Sequence, residues 1–468
     1  MAHVAIVGGG IGGLYGALVL ARRGHRVSVL EQDAKEPPAV AADALKSWNR
    51  PGVPQRHSLH MLACRGQRLL SELPDVYRRA KEVGANELNF RDAAPEPVEE
   101  ELKLLACSRP VLEWALRSAA AGERGVTLYP GSCARGLVWN TETPIPSAEG
   151  VVLQDGGVLQ ADVVVDSSGR SSPGLKWLAA VGAHPEEEAT DTTTILFSRY
   201  FRVRPGKNYP VGAWPLGPRI HWPFMTGRAF YQDDRRICVT FDVPPRDREL
   251  KVLRDAPGFM AAAQFFPQLR EWVDPDRCEP VTDVSTMAAR NRLRKYAIGK
   301  RPIALNYLAI GDTRCLTNPA WGWGMSAVMV QARALAEALE RQPHDAVARA
   351  LLFEEMIGGQ TEAWFLGSVA QDRYRTHMWS ETPITAPTEY DLLAEMFWKT
   401  VVPAAQIDMR CFWTTVRTFG FLQTFSDMLE MHDVFEHARE LERSGRTPKP
   451  AGPMPTRAEL LEALRARP

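Results

Sequence analysis

A chain of 468 residues exceeds what one compact core holds, so two or three subdomains with room for a large cofactor are expected. Its 56 basic and 56 acidic residues cancel without a run of like charge, which argues against nucleic acid or an anionic membrane as a partner and favours a small apolar organic molecule. Seven cysteines (Cys64, Cys107, Cys133, Cys238, Cys278, Cys315, Cys411) stand far apart with no Cys-x-x-Cys, which argues against a disulfide framework, a metal site or a redox dithiol and fits a reducing cytoplasm.

Val4 to Val7 is an apolar run suited to a buried parallel strand, and Leu14 to Arg23 has helical composition ending at Gly24, a left-handed C-cap residue. The stretch from Val4 to Ala21 is interrupted by six glycines and lacks a basic leader, so it reads as strand, turn and helix, not as a signal peptide. No other stretch reaches the roughly 18 uncharged apolar residues of a spanning helix, so no integral membrane segment is expected. Arg26 to Leu30 supplies a second strand, completing the opening unit of a doubly wound sheet. Residues 34 to 56 form an excursion, Leu59 to Leu73 resumes a helical pattern, and Ser108 is placed to cap a helix from Arg109 to Ala121.

Between Val126 and Val165 short strands alternate with turns, including the hairpin signal Asp155-Gly156-Gly157, and Val163 to Val165 returns to buried-strand character. Residues 190 to 290 carry β-type runs (Thr192 to Val203, Arg219 to Phe224, Arg236 to Val243) without a βαβ rhythm, which points to an inserted antiparallel sheet. Ile303 to Ile310 is again a buried strand, followed by a helix from Met325 to Glu340. From Pro343 onward the pattern is helical and rich in aromatics, and the last twenty residues, rich in Pro, Lys and Arg, are expected to be loosely ordered. The fold class is therefore α/β: a discontinuous Rossmann-like domain over 1–185 and 289–342, an antiparallel insertion over 186–288, and a helical region over 343–468.

Two motifs carry chemistry. Gly8-Gly9-Gly10-Ile11-Gly12-Gly13 matches G-x-G-x-x-G: Gly8 permits the tight turn, Gly10 admits a pyrophosphate to the backbone, and Gly13 lets the helix pack closely on the strand. It follows a strand and opens a helix, and Glu31, about 20 residues on, ends the second strand where a ribose hydroxyl is bound in dinucleotide sites. The second motif is Gly311-Asp312, then Pro319-Ala320-Trp321-Gly322-Trp323-Gly324-Met325 opening a helix. A carboxylate at a strand end can hold the ribityl hydroxyls of a flavin, and a Gly-rich helix start aims amides at the flavin ring, where reduction places negative charge.

These residues resemble the flavoprotein monooxygenases of the aromatic-hydroxylase type, and within them the squalene-epoxidase-like and polyether-epoxidase-like bacterial branch. The resemblance runs through Gly8 to Glu31, Val53 to His57 with His60, Ser108 to Trp114, Ala161 to Arg170 and Gly311 to Met325. It implies an FAD-dependent monooxygenase, an epoxidase or hydroxylase, that uses NAD(P)H and O2 on an apolar polyketide, terpenoid or aromatic metabolite. By similarity, Arg109 would contact the flavin or its ribityl chain, Asp312 the ribityl, and Gly322, Gly324 and Met325 the ring edge, with Arg56 and His57 near the pyrophosphate or ribityl. Trp321 and Trp323 would border the flavin, and Trp222, Phe224, Phe230 and Tyr231 would wall the substrate pocket. The sequence departs from the pattern at Ser168-Gly169, where related hydroxylases carry Asp-Gly, and at Arg314-Cys315, where Ala-His is common. No acid or base is singled out as catalytic, because the cofactor carries the chemistry. Two alternatives share the scaffold: a non-oxygenating flavoprotein such as a prenyl-type reductase, dehydrogenase or cyclase, and a non-catalytic flavin-binding protein. Trp321-Gly322-Trp323 is similar to the start of the Trp-x-Trp-x-Ile-Pro signature of flavin halogenases, but Gly324-Met325 follows it, which argues against halogenation.

Overall fold

The computed structural model describes residues 1–97, 102–210, 217–288, 290–448 and 454–466. In chain order, β1 (His3–Val7) leads through the glycine turn into α1 (Ile11–Ala21), whose every residue is buried, and back into β2 (Arg26–Glu31). α2 (Arg109–Gly122), β3 (Val126–Pro130) and β4 (Val163–Asp166) follow. The insertion contributes β5 (Ile195–Val203), β6 (Arg219–Trp222), β7 (Met225–Tyr231), β8 (Arg236–Val243) and α3 (Ala256–Phe265). The chain then returns through β9 (Tyr307–Ala309) to α4 (Gly324–Arg341) and a 35-residue helix, α5 (Ala346–Ser380), and ends with α6 (Met409–Phe419) and α7 (Arg457–Arg465) among other helices.

The parallel sheet has the order β9-β4-β1-β2-β3. Helices α1, α2 and α4 cover one face and a small antiparallel sheet carrying Leu137, Ala148 and Val151 covers the other, so both faces are buried and the strands are continuous apolar runs and not alternating ones. Two glycines are required by close approach. Gly8 sits at φ 108°, and a Cβ there would come within 2.5 Å of the Ser167 carbonyl oxygen. A Cβ on Gly13 would overlap the carbonyl oxygen of Gly8, so only glycine lets α1 start this close to β1.

In the insertion the strands run antiparallel in the order β6-β7-β8-β5, and α3 packs Phe259 against Phe241 in their shared core. Three sequence expectations change. The segment from Leu59 is not helical at first: Leu62 pairs with Leu105 as an isolated bridge, and the helix begins only at Cys64. Ser108 holds the N-cap position of α2, but its hydroxyl makes no capping bond. The last twenty residues are not loose over Arg457–Arg465, since α7 buries Leu460, Leu461 and Leu464 in the core of the insertion and closes its start with a Thr456/Glu459 capping box. Amphipathic spacing there outweighs the Pro-rich composition that precedes it. No helix of the described residues is long and apolar enough to cross a membrane.

The contrast between crowded and open glycines gives a stability test. Gly13→Ala is expected to destabilise by at least ~2 kcal/mol through overpacking, whereas Gly359→Ala, in mid-helix with nothing near the new methyl, should stabilise by ~0.5–1 kcal/mol; urea unfolding of the two variants measures both.

Candidate active site

β4 and β9 are neighbours in the sheet, so the loop after β9 lies beside the glycine turn after β1. The result is one trough of about 430 Å³, lined by Gly8, Gly10, Ile11, Gly12 and Glu31 from one part of the sequence and by Gly311, Asp312, Pro319, Gly322, Gly324 and Met325 from another. Two helices, α1 and α4, begin on it, and neither has a side-chain cap. Their free first-turn amides and positive dipole ends are thus available to a ligand with negative or acceptor groups. Glycine keeps the floor bare: a Cβ at Gly10 would first meet the Arg109 guanidinium at 3.5 Å, and one at Gly324 would first meet Asp312 at 3.9 Å.

At the β2 end, Glu31 is buried and accepts hydrogen bonds from the Gly9 and Asp33 amides. Arg50 pairs with it at 2.6 Å and with Asp33 and Glu113 at 2.9 and 3.2 Å. Burial raises the Glu31 carboxyl above its ordinary range, and Arg50 opposes the rise. At the other end burial likewise raises Asp312, opposed by Arg109, Arg170 and Arg292. The loop after β4 closes one side through Asp166, which is fully buried and accepts from Ser168, Ser172 and Tyr307. Thr313 then bridges to the Gly169 amide at 3.0 Å, joining the two sequence-distant loops.

His60 also lines the trough. Its Nδ1 donates to the Ser58 carbonyl at 2.8 Å, and burial together with Arg109 pushes its pKa down to about 3, so the ring is neutral with an unprotonated Nε2.

Across the Pro319–Gly322 loop lies a second cavity of about 620 Å³, which shares Leu59, Met61, Pro319 and Gly322 with the trough. Its apolar wall includes Phe230, Trp321, Trp398 and Phe419, and the helical tail covers it. Trp398 belongs to a single π-helical turn, Phe397–Val401, a distortion often found at functional sites.

The expected site residues divide accordingly. Gly8, Gly10, Glu31, Arg109, Gly311, Asp312, Pro319, Gly322, Gly324 and Met325 meet at the trough, and Gly13 packs behind it. Arg56 and His57 are not among its lining residues; His57 instead donates to the Leu45 carbonyl, and Arg50 and Gln55 face the trough from that stretch. Trp222, Phe230 and Trp321 reach the second cavity. Phe224 and Tyr231 do not, because Phe224 joins the core of the insertion and Tyr231 turns its hydroxyl to the Pro210 carbonyl. Trp323 packs on Phe421 within the helical region. Sequence reasoning missed Arg50, and it missed Arg219 and His221, whose i, i+2 spacing on a strand puts both on one face.

Residues 6–68 match the family of NAD(P)-binding Rossmann-like domains. No curated protein matches the chain in sequence. Among solved structures, PqsL, a probable FAD-dependent monooxygenase from Pseudomonas aeruginosa, superposes with a TM-score of 0.59 at 18% identity, over 81% of this chain and 98% of its own. The chain has the fold of the FAD-dependent monooxygenases. The tetrameric form of 2-methyl-3-hydroxypyridine-5-carboxylic acid oxygenase is similar at TM-score 0.57 and 18% identity, over 84% of this chain and 95% of its own. The flavin-dependent brominase Bmp2 reaches 0.61 at 13% identity, over 95% of this chain and 100% of its own. Since a brominase shares the fold, the fold does not separate oxygenation from halogenation.

The depressed His60 pKa has a defined pH consequence. Unfolded His60 takes up a proton below about pH 6.5 and folded His60 only near 3, so its contribution to stability is complete above 6.5 and falls as pH drops through that window, by up to about 1.4 kcal/mol per unit. His60→Gln should flatten the acid side of the Tm-versus-pH curve between pH 6.5 and 4.5; an unchanged slope would show that His60 protonates freely in the folded protein.

Proposed function

We propose that this protein is an FAD-dependent monooxygenase that uses NAD(P)H and O2 to hydroxylate or epoxidise a small, largely apolar organic substrate. The observation that carries the reading is the meeting of two uncapped helix starts in one trough, which adjoins an aromatic cavity across a single loop. The trough residues fit the cofactor. The α1 amides would receive the pyrophosphate, Glu31 the adenosine ribose, Arg109 and Asp312 the ribityl chain, and Gly322, Gly324 and Met325 the edge of the flavin ring. Residues 1–185 and 289–342 would form the FAD-binding part, 186–288 the substrate-binding sheet, and 343–468 the cover.

FAD bound there supplies two-electron redox chemistry and oxygen activation. The chain's own residues supply placement. The α4 start offers amides to the charge that reduction creates, while Trp321, Trp398 and Phe419 exclude water from the side where substrate would sit. His60, neutral and held by Ser58, adds an acceptor without adding charge. A second reading, halogenation, draws on the brominase that aligns over 95% of the chain, the helical tail included.

Purified protein should be yellow and should oxidise NADH or NADPH. With oxygen-18 gas and bromide both present, monooxygenation places the heavy isotope in the product and halogenation places bromine there. A product with neither sinks both readings. Asp312→Ala should lower flavin occupancy at least ~10-fold, the effect of losing a charged hydrogen-bond acceptor; full occupancy would remove Asp312 from the site.

A further inference from the structure

The cations around the second cavity are compensated or sealed. Arg228 and Arg375 pair with the buried Asp242 and Asp372. Arg219 has no carboxylate partner among the described residues, but its Nε and Nη2 are closed off from solvent, and its guanidinium lies 5.5, 5.0 and 5.6 Å from the rings of Trp321, Trp398 and Phe419. What joins this cavity to the trough is apolar and narrow: Leu59 and Met61 on one rim, Pro319 and Gly322 on the other, are the residues that line both spaces.

Both rims have fixed backbones. On the first, the Ser58 carbonyl accepts from the Tyr200 hydroxyl at 3.0 Å, the His60 carbonyl accepts from Gln232 Nε2 at 3.0 Å, and Leu62 pairs with Leu105. On the second, the Asn318 side chain accepts from the Ala320 amide and donates to Asp372, each at 3.0 Å, while Arg228 donates to the Ala320 carbonyl at 2.6 Å. The width of the neck is thus left to its side chains. Pro319 is a rigid ring, Gly322 has no side chain, and Leu59 packs beside Leu45, Tyr200 and Cys238. Met61 remains, half-buried and with three rotatable bonds. Its Cε stands opposite Gly322, where a Cβ would lie 3.4 Å from it and meet no other atom within 4 Å. The gap left by the missing methyl is therefore about one carbon contact wide.

We infer that Met61 is the gate between the two compartments: its thioether must swing aside from Gly322 before the reacting end of a substrate can reach the flavin, and its bulk sets how wide that end can be. The inference rests on reading the trough as the FAD site and the second cavity as the substrate site. It makes Met61 a specificity-determining residue, and it gives the bare Cα of Gly322 a purpose beyond its left-handed turn at φ 73°. Substrates with a slim, flat end are favoured over those that are broad at the reacting position.

The test is stopped-flow mixing of two neutral, electron-rich probes, 2-naphthol and the wider 9-phenanthrol, with full-length protein saturated with FAD, flavin content being measured on the same sample. Quenching of tryptophan emission marks arrival in the cavity, whose wall holds Trp222, Trp321 and Trp398, and a long-wavelength charge-transfer band marks contact with the flavin. In the wild type 2-naphthol should give quenching first and the band later, and 9-phenanthrol quenching alone. Met61→Ala should speed the 2-naphthol band ~5- to 10-fold and give 9-phenanthrol a band; Met61→Ile, which conserves volume but is stiff at χ1, should slow the 2-naphthol band by a similar factor, the scale of a displaced rotamer. Gly322→Ala should slow it as well, and adding Met61→Ala should return the rate to within ~2-fold of Met61→Ala alone, a departure from additivity that backbone strain at Gly322 would not produce. Band kinetics indifferent to Met61, a Gly322→Ala effect that Met61→Ala leaves in place, a wild type that admits both probes equally fast, or probes that never quench tryptophan would overturn the inference. Any of these in yellow protein leaves the FAD site standing and removes the gate; protein that takes up no FAD removes the oxygenase reading and the gate with it.

Discussion

The arrangement of this protein depends on how closely three backbone segments approach one another at the carboxyl ends of β1, β4 and β9. Gly8 lies against the carbonyl of Ser167, and Gly13 lies against the carbonyl of Gly8. Asp166 then holds Ser168, Ser172 and Tyr307 around one buried carboxylate. Without glycine at the two crowded positions α1 could not start beside β1, and without the β4–β9 pairing the two helix starts would not face a common space. A trough suited to a dinucleotide follows from sheet order and from the absence of side chains.

Charge is distributed in a way that the overall balance hides. The chain is neutral in sum, yet at one end of the trough Glu31 and Asp33 pair with Arg50, at the other Asp312 feels the charges of Arg109, Arg170 and Arg292, and the second cavity has an excess cation. Burial changes what these groups can do: it keeps His60 and His221 neutral and raises the carboxyls of Glu31 and Asp312. Local desolvation, more than net charge, sets the chemistry available in each compartment.

The parts legible in the sequence are those where a residue type answers a backbone requirement. Gly8 to Gly13, the apolar strands and Gly311 to Met325 belong to this group, and the structure brings both motifs to one trough. Side-chain destinations were harder to read. Phe224, Tyr231 and Trp323 have the composition of pocket walls, but an aromatic ring fills a core as well as it lines a cavity, and neighbours absent from the local sequence decide which. Arg56 and His57 failed for a related reason: the excursion before them folds so that Arg50 and Gln55 face inward instead. Arg219 was invisible because a lone arginine on a strand reads as a solvated surface residue. Trp321 together with Trp398 and Phe419 of the tail folds over it, removes the water and leaves the charge unpaired.

The two compartments also differ in how much of the polypeptide each requires. The trough draws its last lining residue from Val328, whereas the second cavity includes Trp398, Phe419, Met454 and Pro455, all well downstream of it. Since chains emerge from the ribosome amino end first and fold unit by unit, the cofactor compartment can assemble while the tail is still being made. The enclosure around Arg219 therefore comes into being after the cofactor compartment.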